Sequence, residues 1–298
     1  KFSSISSGSP LGSLPLDPIN STSSGLYYTY ATDGNGNYEL TAILESQKYA
    51  PQEAADGGPV NFMYETGNKL TLTPFIRGIV GIWNFDGNGN DLSGQGNNFI
   101  ASGSPLPSFA PGVLGQSYSF INGSTSTVLS ATSSTSTTPL GASPRSMGIW
   151  VYPTSLPPSG LFYLFMIYGN FSADQAFGLI DNCQTNGSGP CGSLYLAVYG
   201  SNDLPSNTVI PLNQWSFIVG VYDGSNLYLY YNGNLIASKN IALTTTASIP
   251  LEIGNSPEVD SAFGVSAEMN GRLDEPFILN YALTPAQVQY IYYAERPH

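Results

Sequence analysis

The chain has 298 residues, 41% of them hydrophobic and only 9% charged, and its 8 Lys and Arg against 20 Asp and Glu give a formal net charge of -12. The basic residues are scattered, so no basic stripe exists to replace the counterions of a nucleic acid, and the sequence predicts no nucleic-acid partner. A chain of this length can form two hydrophobic cores, and its abundance of Ser, Thr, Asn, Gly and Tyr is typical of exported proteins.

Apolar runs in the chain are short. The longest, residues 161–168, is about half as long as a membrane-spanning helix must be. We also find no signal peptide within the sequence. We therefore expect contact with a membrane only through a helix upstream of Lys1.

The first strands are predicted within residues 26–44. Tyr38, Leu40 and Ala42 alternate with other residues at the period of two expected for a half-buried strand, and an Asp-Gly-Asn-Gly turn precedes them. This pattern predicts a hairpin, and residues 62–72 resume a strand-like pattern. Because this first segment has few aliphatic side chains, its core is small and it needs another surface to pack against.

From about residue 79 the sequence has the pattern of many short strands. In residues 214–238 alternating apolar side chains are interrupted by an Asp-Gly and an Asn-Gly pair, which predicts a three-stranded antiparallel meander. Many short strands with such turns indicate a sandwich or a barrel. One convincing helix is predicted at 283–295, where Thr284 is the N-cap and Gln287 completes a capping box.

The segment 85–98 is rich in Asn and Gly and begins like a calcium-binding EF-hand loop. Its first three ligand positions fit the motif. Asp91, however, stands where that loop requires Gly, and Asn97 stands where it requires Glu. A self-contained EF-hand loop is therefore excluded.

Both cysteines lie in one short segment. Asn, Gly, Ser and Pro separate Cys183 from Cys191, and no His is nearby to complete a metal site. A loop this rich in turn residues can bring the two Cα atoms to disulfide distance. We expect a local disulfide and an oxidising compartment, and the alternative is two unpaired thiols.

Four segments resemble, in order, the landmarks of the concanavalin A-like, laminin G-like jelly-roll domains. They are residues 78–98, 145–157, 213–238 and 269–292. The resemblance covers residues 76–298 and implies an all-β, two-sheet antiparallel sandwich in which the terminal strands pair. It also implies that the segments around Asp91 and Asp274 lie close together, near a structural calcium ion in many relatives.

The preceding residues, 1–75, resemble a different family. Residues 15–46 and 63–72 are similar to the carboxy-terminal part of type IV pilins and pseudopilins, in which a small Tyr-rich sheet packs on a long amino-terminal helix. That resemblance implies a small β-meander domain and assembly with other pilin subunits. The helix and the prepilin cleavage site of the family are absent from this sequence, so the surface meant for the helix would be uncovered or covered by the second domain.

A structural calcium ion is one candidate ligand of the jelly roll. Asp91 follows a run of Asn and Gly, and the segment up to Asn97 can offer the oxygen ligands that calcium prefers. Asp274 would complete the shell if the terminal strands pair as the resemblance implies, with Glu275 on the opposite face of a regular strand. The alternative is that these segments are simply turns.

Carbohydrate is the second candidate ligand. Sugar sites combine aromatic rings, which stack on the sugar, with amides and carboxylates, which bind its hydroxyl groups. For each Tyr the alternative is a core position in the sheet. The candidate residues are Tyr163, Tyr195, Asn170, Asp174, Asn202 and Asp203.

Catalysis is not predicted. Glucanases of this fold use a strand with two Glu and one Asp, and the nearest string offers Glu258 and Asp260 but has Ala262 and Phe263 where the second Glu should stand, in a setting that indicates a loop. The single histidine, His298, is the last residue, so no Ser-His-Asp or Cys-His arrangement can form.

These observations predict a non-enzymatic, extracellular, pilin-like surface subunit. Its larger, lectin-like domain would bind glycans or cell-surface proteins in adhesion. The alternative is a purely structural filament or surface subunit without a ligand of its own. A sheet face lined by Tyr and amides would favour the first function, and a face filled by aliphatic side chains would favour the second.

Overall fold

The structure, a computed structural model, contains three antiparallel β-sheets. In chain order the strands are β1 (Thr29–Thr32), β2 (Tyr38–Ala42), β3 (Tyr64–Gly67), β4 (Ile79–Ile82), β5 (Phe99–Ser104), β6 (Ser108–Pro111), β7 (Gln116–Phe120), β8 (Thr125–Ala131), β9 (Arg145–Pro153), β10 (Phe162–Gly169), β11 (Ala176–Asn182), β12 (Ser193–Ala197), β13 (Leu204–Val209), β14 (Ser216–Tyr222), β15 (Asn226–Tyr231), β16 (Asn234–Asn240), β17 (Ile249–Ile253) and β18 (Gly271–Leu279). A 3-10 turn spans Ala50–Gln52, and the helices α1 and α2 span Pro257–Phe263 and Pro285–Glu295. The described residues are 28–32, 35–42, 44, 48–53, 55–58, 63–70, 78–121, 125–132, 137–184, 189–263 and 267–296.

Two of the sheets form a sandwich. One has seven strands in the order β13-β12-β11-β10-β17-β8-β5, and the other runs β16-β15-β14-β9-β18-β7-β6, with β4 also paired to β18. Apolar side chains of both sheets, such as Phe165 and Leu179 of the first and Ile149 and Ile218 of the second, meet in one buried cluster. The predicted antiparallel sandwich is confirmed, and β14, β15 and β16 are its meander.

Strand β18 lies in the middle of the eight-stranded sheet and contains a bulge. Its partners are β9 on one side and β7 and β4 on the other. The register shifts between Asp274 and Phe277, and Glu275 has a φ of 47°. A bulge changes which face the following residues point to, so Leu273 and Ile278 both face the core while Phe277 faces outward. The strand is therefore not the regular one on which the predicted orientation of Glu275 depended.

Helix α2 packs on the outer face of the eight-stranded sheet. The predicted capping box is present, since Thr284 and Gln287 bond reciprocally. Val288 and Ile291 of the helix join a cluster with Trp150 and Phe217. At the helix end the indole N–H of Trp150 donates a 2.7 Å hydrogen bond to the buried carboxyl group of Glu295. No helix within the described ranges is long and apolar enough to span a membrane.

The three-stranded sheet β1-β2-β3 contains the predicted hairpin, but its buried face is polar. Glu39, Thr41 and Glu65 have exposed fractions of 0%, 3% and 2%, whereas Tyr30 and Tyr38, which stack on each other, are 39% and 41% exposed. The period of two is thus confirmed with the polar side chains turned inward. The aromatic face that the pilin resemblance would assign to a helix is exposed in the structure.

The segment that follows β2 joins this small sheet to the sandwich. Met63 lies in the same apolar cluster as Val288 and Ile291 of α2. The carboxyl group of Glu53, which accepts a hydrogen bond from the backbone N–H of Leu44, is buried, and burial raises its pKa to about 8. Helix α2 therefore supplies the surface that this segment was expected to need.

Replacing Glu295 with Gln tests how the helix end is held. Burial raises the pKa of Glu295 to about 8, and burial and the nearby Glu295 raise that of Asp274 as well. Glu295 therefore binds its proton more tightly in the folded than in the unfolded chain, so its contribution to stability is full below about pH 4 and is lost as pH rises toward 8. Glu295→Gln keeps an acceptor for Trp150 and cannot ionise. We expect urea denaturation to show that the variant loses about 3 kcal/mol less free energy of unfolding than the wild type between about pH 5 and pH 8.

Equal pH slopes in the two proteins would contradict this role of Glu295. The difference between the slopes reports Glu295 together with its effect on the neighbouring Asp274, because the more distant buried carboxyl groups, such as those of Glu53 and Asp181, contribute equally to both slopes.

Candidate functional site

Two loops meet at one end of the seven-stranded sheet. They join β10 to β11 and β12 to β13, and we call residues 170–175 and 198–203 together the rim. The side-chain amide of Asn202 donates to both carboxylate oxygens of Asp174, at 2.9 and 3.1 Å, and the backbone N–H of Asp174 donates to the carbonyl of Tyr199. The structure therefore makes direct neighbours of polar residues that lie 28 positions apart in the sequence.

The backbone of the rim is held in an uncommon conformation. Asp174 and Tyr199 have φ angles of 63° and 70°, in the left-handed region that favours glycine. Such a conformation costs a non-glycine residue about 1–3 kcal/mol and persists only where the surroundings hold it. Here the backbone N–H of Thr244 binds the carbonyl of Asp174 at 2.9 Å. The loops are thus fixed before any ligand arrives.

Aromatic rings stand beside these polar groups. Phe171 and Tyr199, both half-buried, have ring centroids 5.9 Å apart and pack against the apolar cluster on the outer face of the sheet. Tyr195 belongs to the same cluster but is only 6% exposed. The rings that a ligand can reach at the rim are therefore those of Phe171 and Tyr199, of which the sequence did not indicate Phe171.

The remaining rim residues brace the loops. The Gln175 side-chain oxygen accepts hydrogen bonds from Asn170, at 3.3 Å, and from the hydroxyl of Thr246, at 2.9 Å. The Asp203 carboxylate accepts the backbone N–H of Val198 at 2.8 Å, and burial raises the pKa of Asp203 although this bond opposes the shift. Asp203 therefore closes its own loop, while Gln175 connects Asn170 and the rim to the segment before β17.

A buried arginine, Arg145 at the start of β9 in the other sheet, contacts Tyr168 and Phe177 on either side of the first rim loop. The guanidinium of Arg145 donates to the carbonyls of Pro139, Gly141 and Ser143 and lies 5.6 Å from the ring of Phe177, two residues after the rim. Among the residues that the structure describes, no carboxylate pairs with it. Gly141 in turn pairs with the residue before Thr246 through a β-bridge. Arg145 thus anchors the loops behind the rim.

Tyr163 lies elsewhere than predicted. Its ring is in the core with 1% exposure, and its hydroxyl group bonds to Ser155 and to the carbonyl of Leu156. Strand β10 is buried on both faces, so exposure could not be inferred from its Tyr-rich sequence. Tyr163 supports the core of the sandwich and does not line the rim.

The residues predicted to bind calcium make hydrogen bonds within the protein. The Asp91 carboxylate accepts the backbone N–H groups of Ile82, Ser93 and Asn97 at 2.9–3.3 Å. The Asp274 carboxylate accepts the N–H of Val113 at 2.8 Å and lies near Glu295 under α2.

Asn97 is buried, and its amide bonds to the carbonyl of Val80 and to the hydroxyl of Thr137. In the described part of the chain no group of three or more His, Cys, Asp and Glu side chains is placed to hold a metal ion. The residues as arranged do not form a calcium centre, and calcium binding stays a prediction.

Asp91→Ala separates a loop-capping role from an ion-binding role. The substitution removes the acceptor of three backbone N–H groups, so we expect thermal or urea unfolding to show a loss of about 2 kcal/mol or more. The loss should be the same with calcium and with a chelator. Asp91→Asn, which retains one acceptor oxygen, should lose less. A loss that occurs only in calcium would contradict the capping role and support an ion.

The two cysteines form the expected disulfide, Cys183–Cys191, which closes a short loop after β11.

A pair of carboxyl groups that the sequence did not reveal lies on the outer face of the seven-stranded sheet. Glu252 of β17 and Glu258 of α1 are hydrogen-bonded, and burial raises the pKa of Glu252 to about 8. The segment of Glu258, predicted as a loop, is helical. Glycosidase carboxylates stand about 5–9.5 Å apart, so a pair in direct contact does not match that geometry.

Comparison with protein families gives one match. The profile of the Laminin_G_3 family, described as the concanavalin A-like lectin/glucanases superfamily, matches residues 122–289. The matched region includes both rim loops and ends within α2. No curated protein matches the chain in sequence.

Several solved structures are similar in fold. Domain 4 of AbnA, an extracellular arabinanase from Geobacillus stearothermophilus in complex with arabinotriose, has 19% identity and a TM-score of 0.55, over 72% of this chain and 98% of that one. The binding domain of Paraclostridial Mosquitocidal Protein 1 has 17% identity and a TM-score of 0.54, over 72% of this chain and 52% of that one. The binding domain of botulinum neurotoxin serotype G has 13% identity and a TM-score of 0.50, over 72% and 50%. At these identities the likeness concerns the fold.

Proposed function

Since the chain belongs to the concanavalin A-like lectin/glucanases superfamily, we propose that its jelly roll is a non-enzymatic carbohydrate-binding domain and that glycans bind at the rim. The observation that carries this proposal is the pairing of Asp174 with Asn202 beside the rings of Phe171 and Tyr199. Rings stack on the apolar faces of sugars, while amide and carboxylate groups bind hydroxyls. A fixed backbone lowers the entropy cost of binding.

Two further observations support the proposal. A structural neighbour, the arabinanase domain, contains arabinotriose in its complex, and the chain covers 98% of that domain. The Glu252 and Glu258 pair favours binding over hydrolysis, because the two carboxyl groups of a glycosidase stand about 5–9.5 Å apart, whereas these two are in hydrogen-bond contact. The disulfide is consistent with a secreted or surface-exposed protein.

We propose further that the first segment assembles with pilin subunits. The exposed rings of Tyr30 and Tyr38 form a sheet face that a helix of a pilin-like assembly would cover. The two proposals are independent. A subunit without a ligand is the alternative, and it is favoured by Leu164 and Ile167, which fill the centre of the outer face of the seven-stranded sheet with buried aliphatic groups.

Glycan-array binding by the full chain, followed by calorimetry, tests the rim. We expect a neutral oligosaccharide ligand, with arabinotriose among the probes, and a loss of affinity of about tenfold in Asn202→Ala and in Tyr199→Ala, since each removes one contact. Asn234→Ala is the matched control, because Asn234 is an exposed amide at the start of β16 in the other sheet. It should bind as the wild type does.

Failure of every glycan to bind, or equal affinities in the rim variants and the wild type, would contradict the proposal that glycans bind at the rim. The melting temperatures of the variants check that they still fold. If no glycan binds, or if the folded rim variants bind as the wild type does, a structural role explains the domain better.

A further inference from the structure

A row of side chains crosses the outer face of the eight-stranded sheet beyond the end of α2. Cross-strand register places Tyr152 of β9 opposite Arg272 of β18, Arg272 opposite Ser119 of β7, and Ser119 opposite Ser108 of β6. Trp215, just before β14, contacts Tyr152 with ring centroids 5.3 Å apart. We call these five residues the strip. Neighbouring strands are about 4.8 Å apart, so the strip extends about 19 Å across the sheet.

The strip is accessible along its length. Ser108 is exposed, and the other four side chains are half-buried. On the same face, the adjacent row of side chains contains Trp150 and Phe217. Helix α2 covers that row and ends there. The strip is therefore the part of this face that the helix leaves uncovered.

Arg272 is fixed in the centre of the strip. Its guanidinium carbon lies 3.8 Å from the centroid of the Tyr152 ring and 5.5 Å from that of Trp215. One N–H donates a 2.7 Å hydrogen bond to the carbonyl of Pro111. A guanidinium has five N–H donors in a rigid fork, so most of its donors remain available after this bond.

The charge of Arg272 indicates which ligands the strip can bind. The chain has only 8 basic residues against 20 acidic ones, yet no carboxylate from the described ranges pairs with Arg272. A rigid guanidinium held flat against aromatic rings is suited to bidentate recognition of a carboxylate. The rings on one side and the two serine hydroxyls on the other can bind the apolar faces and the hydroxyl groups of adjoining sugars.

We propose that the strip is a second binding site, for oligosaccharides that contain acidic sugars. A sugar carboxylate would bind the free edge of Arg272, one neighbouring sugar would stack on Tyr152 and Trp215, and the other would bind Ser119 and Ser108. The site lies on the sheet opposite to the one that carries the rim and does not depend on glycan binding there. Its ligand class differs as well, because the one cation recorded at the rim, Lys239, donates to the carbonyl of Ser201 and stands beside the carboxylates of Asp203 and Asp174, whereas Arg272 has no carboxylate partner among the described residues.

Titration of the full chain with tri-galacturonate, compared with the neutral galactotriose, tests the proposal. Trp215 supplies the signal, because the other two tryptophans, Trp83 and Trp150, are 0% and 1% exposed. We expect saturable quenching, affinity for tri-galacturonate about tenfold higher than for galactotriose, and weaker binding at higher NaCl concentration. Asn202→Ala at the rim should leave this binding unchanged.

Variants assign the effect to named residues. Arg272→Gln can still donate to Pro111 but has no charge, and it should abolish the preference for the acidic trimer. Trp215→Phe should lose the fluorescence signal while calorimetry still detects the acidic trimer. Arg296→Gln is the matched control, because Arg296 also lies over a tyrosine ring, 4.5 Å from Tyr293, but outside the strip. It should bind as the wild type does.

Three results would overturn the proposal. They are equal affinity for the acidic and the neutral trimer, wild-type affinity in folded Arg272→Gln, and binding of poly-aspartate as tight as that of tri-galacturonate. The last would show that the strip recognises acidic proteins rather than sugars. A loss of binding in Asn202→Ala but not in Arg272→Gln would assign the ligand to the rim instead.

Discussion

The pairing of β18 in the centre of the eight-stranded sheet is the constraint on which the structure depends. This strand comes near the end of the chain and pairs with β4, β7 and β9. Leu273 and Ile278 enter the core from it, while Phe277 faces the cluster under α2. Only the bulge at Glu275 permits this arrangement, because a strand of regular alternation would turn Phe277 inward. Core, helix and outer surface are thus set by one nine-residue strand.

That strand also explains why the two faces of the sandwich differ. On the outer face of the eight-stranded sheet, Arg272 is half-buried at one end of β18, and two residues later Asp274 is buried under α2. The helix over the seven-stranded sheet, α1, has 7 residues against 11 in α2, and the rim lies in the loops at the end of that sheet. Aromatic and polar groups therefore gather in two places for different reasons: uncovered sheet surface in one, and converging loops in the other.

The fold was largely predictable because its signals are local. Alternation in β14 to β16 and the capping box of α2 are each written within a few residues, and both are present. Loop composition made Asp174 and Asn202 candidate ligand-binding residues, which stays a prediction, and the contact between them depends on the order of β10 to β13. For Tyr163 the prediction used the residue type alone, and it was wrong because the side chain lies in the core.

The strip could not be predicted, because it depends on the register between distant strands. Arg272 and Tyr152 are 120 positions apart, and their neighbours in the sequence carry no sign of a shared surface. For Asp91 the difficulty is a different one, because its local sequence fits two arrangements. A carboxylate beside Asn and Gly can bind either a cation or backbone N–H groups, and the two arrangements have the same sequence. Only the positions of the N–H groups of Ile82, Ser93 and Asn97 distinguish them.

A charged group held by the fold is compensated either by partners within the protein or by an external ligand, and which of the two applies bears on function. The guanidinium of Arg145 is solvated by carbonyls, and burial raises the pKa values of Glu295 and Glu252, which favours their neutral forms. Arg145 and Glu295 are therefore held by partners inside the protein. Arg272 differs, because it is rigidly held and only one of its donors is occupied. A cation that the fold orients but does not neutralise has a free energy to gain from an external anion, and in this acidic chain that argument selects Arg272 over the buried charges.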